Sequence, residues 1–312
     1  MQGVRIVLPV VAMVVLAGAT VTMGQAPSGD TIVRRDLQYG THDGVRLTGD
    51  FYGVKGPGPH PVVVAVHGGG WQAGSRNSYQ TWVSHLSERG IAVYSVDYRL
   101  SKPGQPSYPQ AVHDVVAAIR FVKHNAADLN VDPDRIALMG GSAGGHLVAL
   151  VGLAGDTRLF SKAYPNDPYA AVSPRVTAVV SVYGVYDLLQ QWTHDQIHRP
   201  GDQIAETFVG KPPMDDRKVY FDASPISYAV RGPHQPAFLL AWGTDDDVVD
   251  PATQSEPFLI ALKQAGIRAR TAIIPGASHF WMSEPLDDPR SWVSAVSGQI
   301  VRFLEDRLAV TQ

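Results

Sequence analysis

The sequence predicts an α/β protein in which helices cover both faces of a mostly parallel sheet. Apolar, β-branched runs such as VVVAV (residues 62–66) alternate with helical patterns such as AVHDVVAAIRFVKHNAADL (residues 111–129). An unbroken apolar run is typical of a strand that is buried on both of its faces. The 312 residues are 45% hydrophobic and 18% charged, which suits one large domain with a sizeable core.

The predicted elements follow one another in a regular order. The runs TIVRRDLQYG and VRLTGDFYGV should form an antiparallel hairpin, because the Asp43-Gly44 pair between them favours a tight turn. Later strands are predicted at residues 62–66, 91–98, 135–140, 176–184, 237–243 and 269–276. Helices are predicted at residues 82–90, 111–129, 144–155, 258–266 and 292–308. Ligands of such sheets bind beyond the carboxyl ends of the parallel strands, so functional residues should follow strands.

One segment interrupts this alternation. Residues 185–235 are rich in Pro, Asp, Gln and aromatic residues and contain no clear strand. We expect them to form a short, cap-like insertion over the functional site. No internal repeat or linker marks a second domain, so residues 31–312 should form a single domain.

The N-terminal segment has the pattern of a targeting sequence. Residues 1–26 carry a single Arg5, then the apolar run IVLPVVAMVVLAGATV, then small and polar residues that suit a cleavage site. This pattern predicts a secretory signal peptide, and therefore a periplasmic or secreted protein with no stable membrane insertion after cleavage. The alternative is an uncleaved anchor, because an apolar run of about 18 residues approaches the length that spans a bilayer.

Composition excludes several classes of function. The formal net charge of −3 provides no broad basic surface for nucleic acid or anionic membrane, so a neutral or weakly polar substrate fits better. The chain has no cysteine, which excludes disulfides, thiolate metal sites and a cysteine nucleophile.

A candidate nucleophile lies at the junction of a predicted strand and a predicted helix. The sequence MGGSAGGHL contains the pattern G-x-S-x-G as Gly140, Ser142 and Gly144. A serine at such a sharp turn is held in a strained backbone conformation, and glycine two residues before and after it avoids steric clashes. The bare motif is common in a chain with 30 glycines, so its position between strand and helix gives it its weight.

The run HGGGW (residues 67–71) follows the buried strand at 62–66 and is the candidate oxyanion-binding loop. Glycines leave backbone N–H groups free to point at a developing negative charge, which lowers the barrier of acyl transfer. We expect the donors to be Gly69, Gly70 and Ala143. His67 begins this loop and is a weaker candidate for the general base, since its position suits a residue that shapes the loop.

We expect the acid and the base to follow later strands. Sites with a G-x-S-x-G serine between a strand and a helix supply their residues in the chain order Ser, acid, His. His279, in PGASHFW, is the histidine that follows every plausible acid. The acid should accept the Nδ1 hydrogen of that histidine. The loop AWGTDDDVVDP offers four aspartates, of which Asp246 is preferred, and Asp187 is a reserve. The acidic run is a poor metal site because three consecutive side chains cannot all point inward.

The motifs together resemble the α/β-hydrolase superfamily, and most closely its bacterial esterases related to hormone-sensitive lipase and to the feruloyl and acetylxylan (BD-FAE-like) group. The likeness covers roughly residues 60–305 and rests on these runs, in the family's order: HGGGW, VDYRL, YPQAVHDVVAAIRFVKHNA, DPDRIALMGGSAGGHL, ASPISY, FLLAWGTDDDVV and PGASHFW. In the family the acid lies fourth in G-x-x-D-x-x-V, which supports Asp246. The sequence departs from the family at Trp242, Asp250 and Phe280, outside the triad.

The resemblance implies a serine carboxylesterase that needs no cofactor and no metal. Its substrate would be a small-molecule or glycan-linked ester, and Trp71, Tyr183 and Trp281 could line the pocket. Amide hydrolysis by a formamidase or peptidase uses the same groups and is the alternative reaction. A non-catalytic binding protein on the same fold is a further alternative, although it predicts the loss of a triad residue and none is missing.

Overall fold

A computed structural model of the chain describes residues 31–310, which form an eight-stranded sheet with helices on both faces. The predicted signal peptide at residues 1–26 lies outside the described residues. The strands are β1 (Thr31–His42), β2 (Val45–Val54), β3 (His60–Val66), β4 (Ala92–Val96), β5 (Val131–Gly141), β6 (Ala178–Val182), β7 (Ala237–Gly243) and β8 (Ala269–Ile274). Their spatial order is β1-β2-β4-β3-β5-β6-β7-β8. This confirms the predicted fold class.

The helices fill the connections between strands. They are α1 (Gln80–Ser87), α2 (Gln110–His124), α3 (Ala126–Leu129), α4 (Ala143–Ala154), α5 (Arg158–Ser161), α6 (Leu188–His198), α7 (Ile204–Val209), α8 (Arg217–Ala223), α9 (Ser255–Gln264) and α10 (Trp292–Leu308). Single 3₁₀ turns occur at Arg76–Tyr79, Pro225–Tyr228 and Trp281–Ser283. Within the described part of the chain, no helix is both long and apolar enough to cross a membrane.

The sheet is antiparallel at its N-terminal edge and parallel elsewhere. β1 pairs with β2, and β2 with β4, in antiparallel fashion, while β3 to β8 join through parallel pairs. Asp43 and Gly44 connect the first two strands with φ values of 51° and 76°. Two consecutive residues with positive φ are the requirement of the tight hairpin turn that the Asp-Gly pair predicted.

The core has two parts, one on each face of the sheet. On one face, Val62, Val64 and Val66 of β3 belong to a cluster that includes α2 and α4. On the other face, Val63 and Ala65 belong to a cluster that includes α1 and α10. Successive side chains of a strand point to opposite faces, so a strand covered on both sides is apolar throughout. The run VVVAV has that pattern for this reason.

Several predicted boundaries differ from the structure by a few residues, and three differences are instructive. β4 ends at Val96, two residues before the predicted end, and the carboxylate of the next residue, Asp97, accepts the backbone N–H of Arg76 at 2.8 Å. β5 begins at Val131, four residues before the predicted start. The single helix predicted over residues 111–129 is divided at Asn125, whose side-chain amide donates to the carbonyl of Phe121 at 2.8 Å. Such side-chain bonds compete with helix continuation.

Segment 185–235 contains helices α6, α7 and α8 and no strand, in agreement with its pattern. It packs on the loop that follows β3, since Phe208 stacks on Trp71 with ring centroids 4.5 Å apart. It also packs on α4, because the carbonyl of Ala223 lies 2.7 Å from Nε2 of His146. The segment therefore rests on two elements that flank Ser142.

The central strand β5 should be sensitive to truncation of its side chains. Leu138 is fully buried between β3 and β6, and the change Leu138→Ala leaves a cavity. We expect it to lower the free energy of unfolding by about 2–5 kcal/mol in urea denaturation. The matched control is Leu159→Ala, a site that is 47% exposed and should change stability by about 0.5 kcal/mol or less. Equal losses in the two variants would contradict this account of the core.

Candidate active site

Ser142 occupies a strained turn between β5 and α4. Its φ and ψ are 55° and −123°, a backbone conformation that non-glycine residues rarely adopt. The backbone N–H of Ser142 donates to the carbonyl of Val182 at 2.9 Å, which fixes the turn to β6. The serine thus lies at the end of its strand, at the junction with the helix that follows.

The two motif glycines are required by close backbone contacts. A Cβ atom at Gly144 would lie 2.0 Å from the carbonyl oxygen of Val66, at the end of β3. A Cβ atom at Gly140 would lie 2.4 Å from the carbonyl oxygen of Gly144. Neither contact can be relieved by rotating a side chain, because both partners are backbone atoms. Glycine at these positions lets α4 start directly against β3.

The structure brings Ser142, His279 and Asp246 together in one line of hydrogen bonds. Nε2 of His279 lies 2.9 Å from Oγ of Ser142, and Nδ1 lies 2.7 Å from Oδ2 of Asp246. The side chains of His279 and Asp246 are 1% and 0% exposed. In this arrangement the imidazole can take the serine proton at Nε2 while its Nδ1–H donates to the carboxylate.

Asp246 is held by its own loop. Its second carboxylate oxygen, Oδ1, accepts the backbone N–H groups of Val248 and Val249 at 3.0 and 2.9 Å. The carboxylate therefore stays hydrogen-bonded on the side facing away from His279, although it is removed from solvent. The β7–α9 loop is the means by which the sequence fixes this buried charge.

The other candidate acids have different partners. Asp187 caps helix α6 by accepting the N–H groups of Leu189 and Gln190. Asp245 accepts the hydroxyl of Thr244, and Asp250 accepts the N–H of Ala252. The structure thus selects Asp246 from the set that the sequence left open.

The HGGGW loop presents unpaired backbone donors beside the serine. Gly69 and Gly70 have φ values of 111° and 58°, which L side chains rarely adopt. Among the residues that the structure describes, the N–H groups of Gly69, Gly70 and Ala143 have no intramolecular acceptor. Ala143 begins α4, and the N–H groups of a helix's first turn have no acceptor within the helix. These are the three donors that the sequence singled out.

Arg76, at the start of the 3₁₀ turn that follows the HGGGW loop, anchors this part of the chain. The backbone N–H of Arg76 donates to Asp97 at 2.8 Å, and its Nε donates to Asp50 of β2 at 2.9 Å. Its guanidinium also pairs with Asp36 of β1. Burial lowers the pKa of the Arg76 guanidinium, but Asp97 and Asp50 raise it by more, so the group stays charged. The antiparallel edge of the sheet therefore holds the loop in place.

His67 shapes this loop. Its buried Nδ1 lies 2.7 Å from the carbonyl of Gly68, and its ring stacks on Tyr98 with centroids 4.3 Å apart. The hydroxyl of Tyr98 donates to the carbonyl of His67 at 3.0 Å. Burial lowers the pKa of His67, which favours the neutral imidazole. The histidine within hydrogen-bond distance of Ser142 is His279 and not His67, the weaker candidate for the base.

A cavity of about 210 Å³ opens beside Ser142. Its walls include Gly68 and Gly69 of the HGGGW loop and the side chains of Tyr79, Tyr183, Phe280 and Met282. Tyr183 lies against His279 with ring centroids 4.4 Å apart, and its hydroxyl accepts the N–H of Met282 at 3.2 Å. The prediction that Tyr183 lines the pocket therefore agrees with its position, although Tyr79 and Met282 were not foreseen.

Trp71 and Trp281 do not line this cavity, which corrects the expectation for both residues. Each side chain is 1% exposed. The indole of Trp71 points away from the cavity, onto Phe208 and His146. Trp281 packs edge-on against Tyr183, with centroids 5.1 Å apart, behind the cavity wall. The aromatic residue that remains accessible is the neighbouring Phe280, which is 63% exposed at a φ of 67°.

The contact of Gly144 with β3 provides a test of this geometry. The substitution Gly144→Ala should lower the free energy of unfolding by about 1–3 kcal/mol in urea, because the added methyl group must displace a backbone carbonyl. Gly201→Ala is the matched control, since nothing lies within 4 Å of a Cβ at that exposed position. A Gly144→Ala chain as stable as the Gly201→Ala chain would contradict the close approach of α4 to β3.

Comparisons with known proteins agree with this fold and site. The model of the BD-FAE family matches residues 50–262. Esterase LipQ of Mycobacterium tuberculosis is 34% identical over 227 residues, which cover 70% of this chain and 50% of the relative. The probable carboxylic ester hydrolase LipM of the same organism is 33% identical over 214 residues, covering 66% of this chain and 46% of the relative. The chain thus spans about half the length of these curated relatives.

Among solved structures, the thermophilic esterase Est2 of Thermogutta terrifontis is 25% identical, with a TM-score of 0.69 over 89% of this chain and 92% of that one. The acetyl ester-xyloside bifunctional hydrolase of Caldicellulosiruptor lactoaceticus has the same fold, with 24% identity and a TM-score of 0.71 over 91% of this chain and 98% of that one. The family model covers more than half of the sequence, including the oxyanion loop and the serine turn. The chain therefore belongs to the BD-FAE family and has the α/β-hydrolase fold.

Proposed function

We propose that this chain is a serine carboxylesterase that hydrolyses its substrate through an acyl-enzyme. The observation that carries the proposal is the line of hydrogen bonds from Ser142 Oγ to His279 Nε2, and from His279 Nδ1 to Asp246, at 2.9 and 2.7 Å. A serine is a weak nucleophile unless an adjacent base removes its proton, and the base acts best when a third group fixes its tautomer. Ser142, the base His279 and the carboxylate Asp246 that fixes its tautomer all lie at the carboxyl ends of the parallel strands.

In this mechanism, Oγ of Ser142 attacks the ester carbonyl while Nε2 of His279 takes the hydroxyl proton. Asp246 stabilises the resulting imidazolium through Nδ1–H. The carbonyl oxygen becomes an oxyanion, which accepts hydrogen bonds from the N–H groups of Gly69, Gly70 and Ala143. His279 then gives its proton to the departing alcohol. Water enters, loses a proton to His279 and attacks the acyl-enzyme, which releases the acid and restores the Ser142 hydroxyl.

The relatives favour an ester over an amide as the substrate. The curated relatives named above are an esterase and a probable carboxylic ester hydrolase, and the solved structures include a thermophilic esterase. The oxyanion loop of this chain, HGGGW, is also of the type found in lipases and esterases. These likenesses support transfer of ester hydrolysis to the present chain.

The cavity suits a small, apolar acyl group. Its volume is about 210 Å³, and Tyr183, Phe280 and Met282 supply much of its wall. The alcohol part of the ester would extend toward solvent past Phe280, which is 63% exposed. A small molecule or a sugar could serve as that alcohol.

Two proposals extend beyond the site. Export through residues 1–26 rests on the signal-like sequence pattern alone, and mass spectrometry of the N-terminus of the exported protein would test cleavage against a retained anchor.

A cap-like role for residues 185–235 is supported by the packing of Phe208 on Trp71. Exchange of this segment between related esterases should then alter substrate preference.

The nucleophile is tested by Ser142→Ala. We expect kcat/KM for p-nitrophenyl acetate to fall by about 10⁴-fold or more, because the acyl-enzyme cannot form. The fold should be retained, as judged by circular dichroism and urea denaturation. A panel of p-nitrophenyl esters of rising acyl length, with acetylated xylan, feruloyl esters and anilides, would define the substrate. A folded Ser142→Ala chain with wild-type activity would overturn the proposed mechanism.

The acid is tested by a pair of neighbouring substitutions. Asp246→Asn keeps the shape of the buried side chain but removes the charge that stabilises the imidazolium, so kcat should fall by about 10³- to 10⁴-fold. Asp247→Asn changes an exposed carboxylate in the same loop and should leave kcat unchanged within about twofold. Similar losses in both variants would mean that the loop charge as a whole, and not Asp246, is the requirement.

A further inference from the structure

Trp71 fixes the end of the oxyanion loop. It follows Gly70 directly and has a φ of 58°, which is strained for a bulky residue. Its carbonyl accepts the N–H of Ser101 at 2.7 Å, and its buried indole stacks on Phe208. The direction of this side chain is coupled to the backbone of the two preceding glycines, because they share one turn of five residues.

His146 holds that indole from the nucleophile helix. It lies four residues after Ser142 on α4, and its backbone N–H donates to the carbonyl of Ser142 at 2.9 Å. Nδ1 of His146 accepts the indole N–H of Trp71 at 3.1 Å. Nε2 donates to the carbonyl of Ala223 in segment 185–235 at 2.7 Å. Both ring nitrogens are therefore used, and their partners define one neutral tautomer.

The imidazole of His146 stays in that tautomer over the pH range in which an esterase works. The residue is fully buried, and burial lowers the pKa of His146 to about 4. The charged form would place an N–H on Nδ1 and lose the bond from Trp71. Above that pKa the neutral ring remains an acceptor for the indole.

We propose that His146 is a positioning residue for the oxyanion hole, which it orients through the indole of Trp71. This inference rests on the proposed ester hydrolysis. The nucleophile and the oxyanion donors lie on different connections, one after β5 and the other after β3. The bond from Trp71 to His146 is a side-chain link that joins these two connections inside the core. It sets the Gly69 and Gly70 donors relative to Ser142, where small displacements strongly affect the rate.

The test is a double-mutant cycle on esterase turnover. His146→Phe keeps an aromatic ring at this buried position but can neither accept the indole N–H nor donate to the carbonyl of Ala223. Trp71→Phe retains a ring for stacking on Phe208 and removes the donor. Because the two changes break the same bond, each should lower kcat by about 10- to 100-fold, and the double variant should lose little more than either single one. His146→Gln, which offers both an acceptor and a donor, should restore much of the activity.

The readouts separate positioning from loss of folded protein. Active-site titration with a fluorophosphonate counts competent Ser142, so kcat is expressed per titrated site. KM for a short p-nitrophenyl ester should change by less than about threefold, while the inhibition constant of an alkylboronic acid, a mimic of the tetrahedral adduct, should rise in proportion to the loss of kcat. The control is His113→Phe, which replaces a partly buried histidine of α2 that packs against Phe160 and should leave kcat unchanged.

The outcomes are distinct. Reduced kcat per titrated site with near-constant KM, in both single variants and without additivity, supports the positioning role. If His146→Phe does not fold, a reduced kcat per titrated site with near-constant KM in Trp71→Phe still supports the positioning role. Wild-type kcat per titrated site in either folded variant, or fully additive losses, would overturn the positioning role of His146 and leave the proposed ester hydrolysis intact. A wild-type chain that hydrolyses no ester would overturn the proposed function as well.

Discussion

The contact of Gly144 with the carbonyl of Val66 is the constraint on which the rest of the site depends. A Cβ would approach that oxygen to 2.0 Å, so the start of α4 lies directly against the end of β3. Only with that approach can the chain turn sharply from β5 into α4 and expose Ser142. The strain at Ser142 is sustained because strands on both sides of β5 fix the position from which the turn begins.

The order of strands explains how residues distant in sequence meet. Val66 of β3 pairs with Gly140 of β5, so the loops that follow these strands are neighbours. Further along the sheet, β7 and β8 deliver Asp246 and His279 to the same edge. Because the strands β3 to β8 are parallel, every one of these loops leaves from a carboxyl end. The order and direction of the strands therefore bring the site residues together, and side-chain contacts then set their exact orientation.

The sequence predicted the features that depend on local pattern. Apolar runs identified the central strands, and the glycine spacing around Ser142 identified the serine turn, since both patterns have direct steric causes. It did not predict the direction of Trp71, because an indole can face substrate or core equally well until its partners are known. Those partners, Phe208 and His146, are more than seventy residues away in the chain. By contrast, the division of the predicted helix at Asn125 has a local cause, a side-chain bond to the carbonyl of Phe121, which apolar periodicity alone does not reveal.

The burial of Trp71 changes how the site should be understood. An aromatic side chain beside an oxyanion loop suggests a contact with substrate, whereas this one is 1% exposed and hydrogen-bonded within the core. Backbone donors cannot be oriented by their own side chains when they are glycines, so their direction must be set by the next residue that packs. Trp71 is that residue, and its anchor on the nucleophile helix ties the two halves of the site to one rigid unit. On the exposed side of the site, by contrast, Phe280 stands next to His279 and remains accessible to solvent.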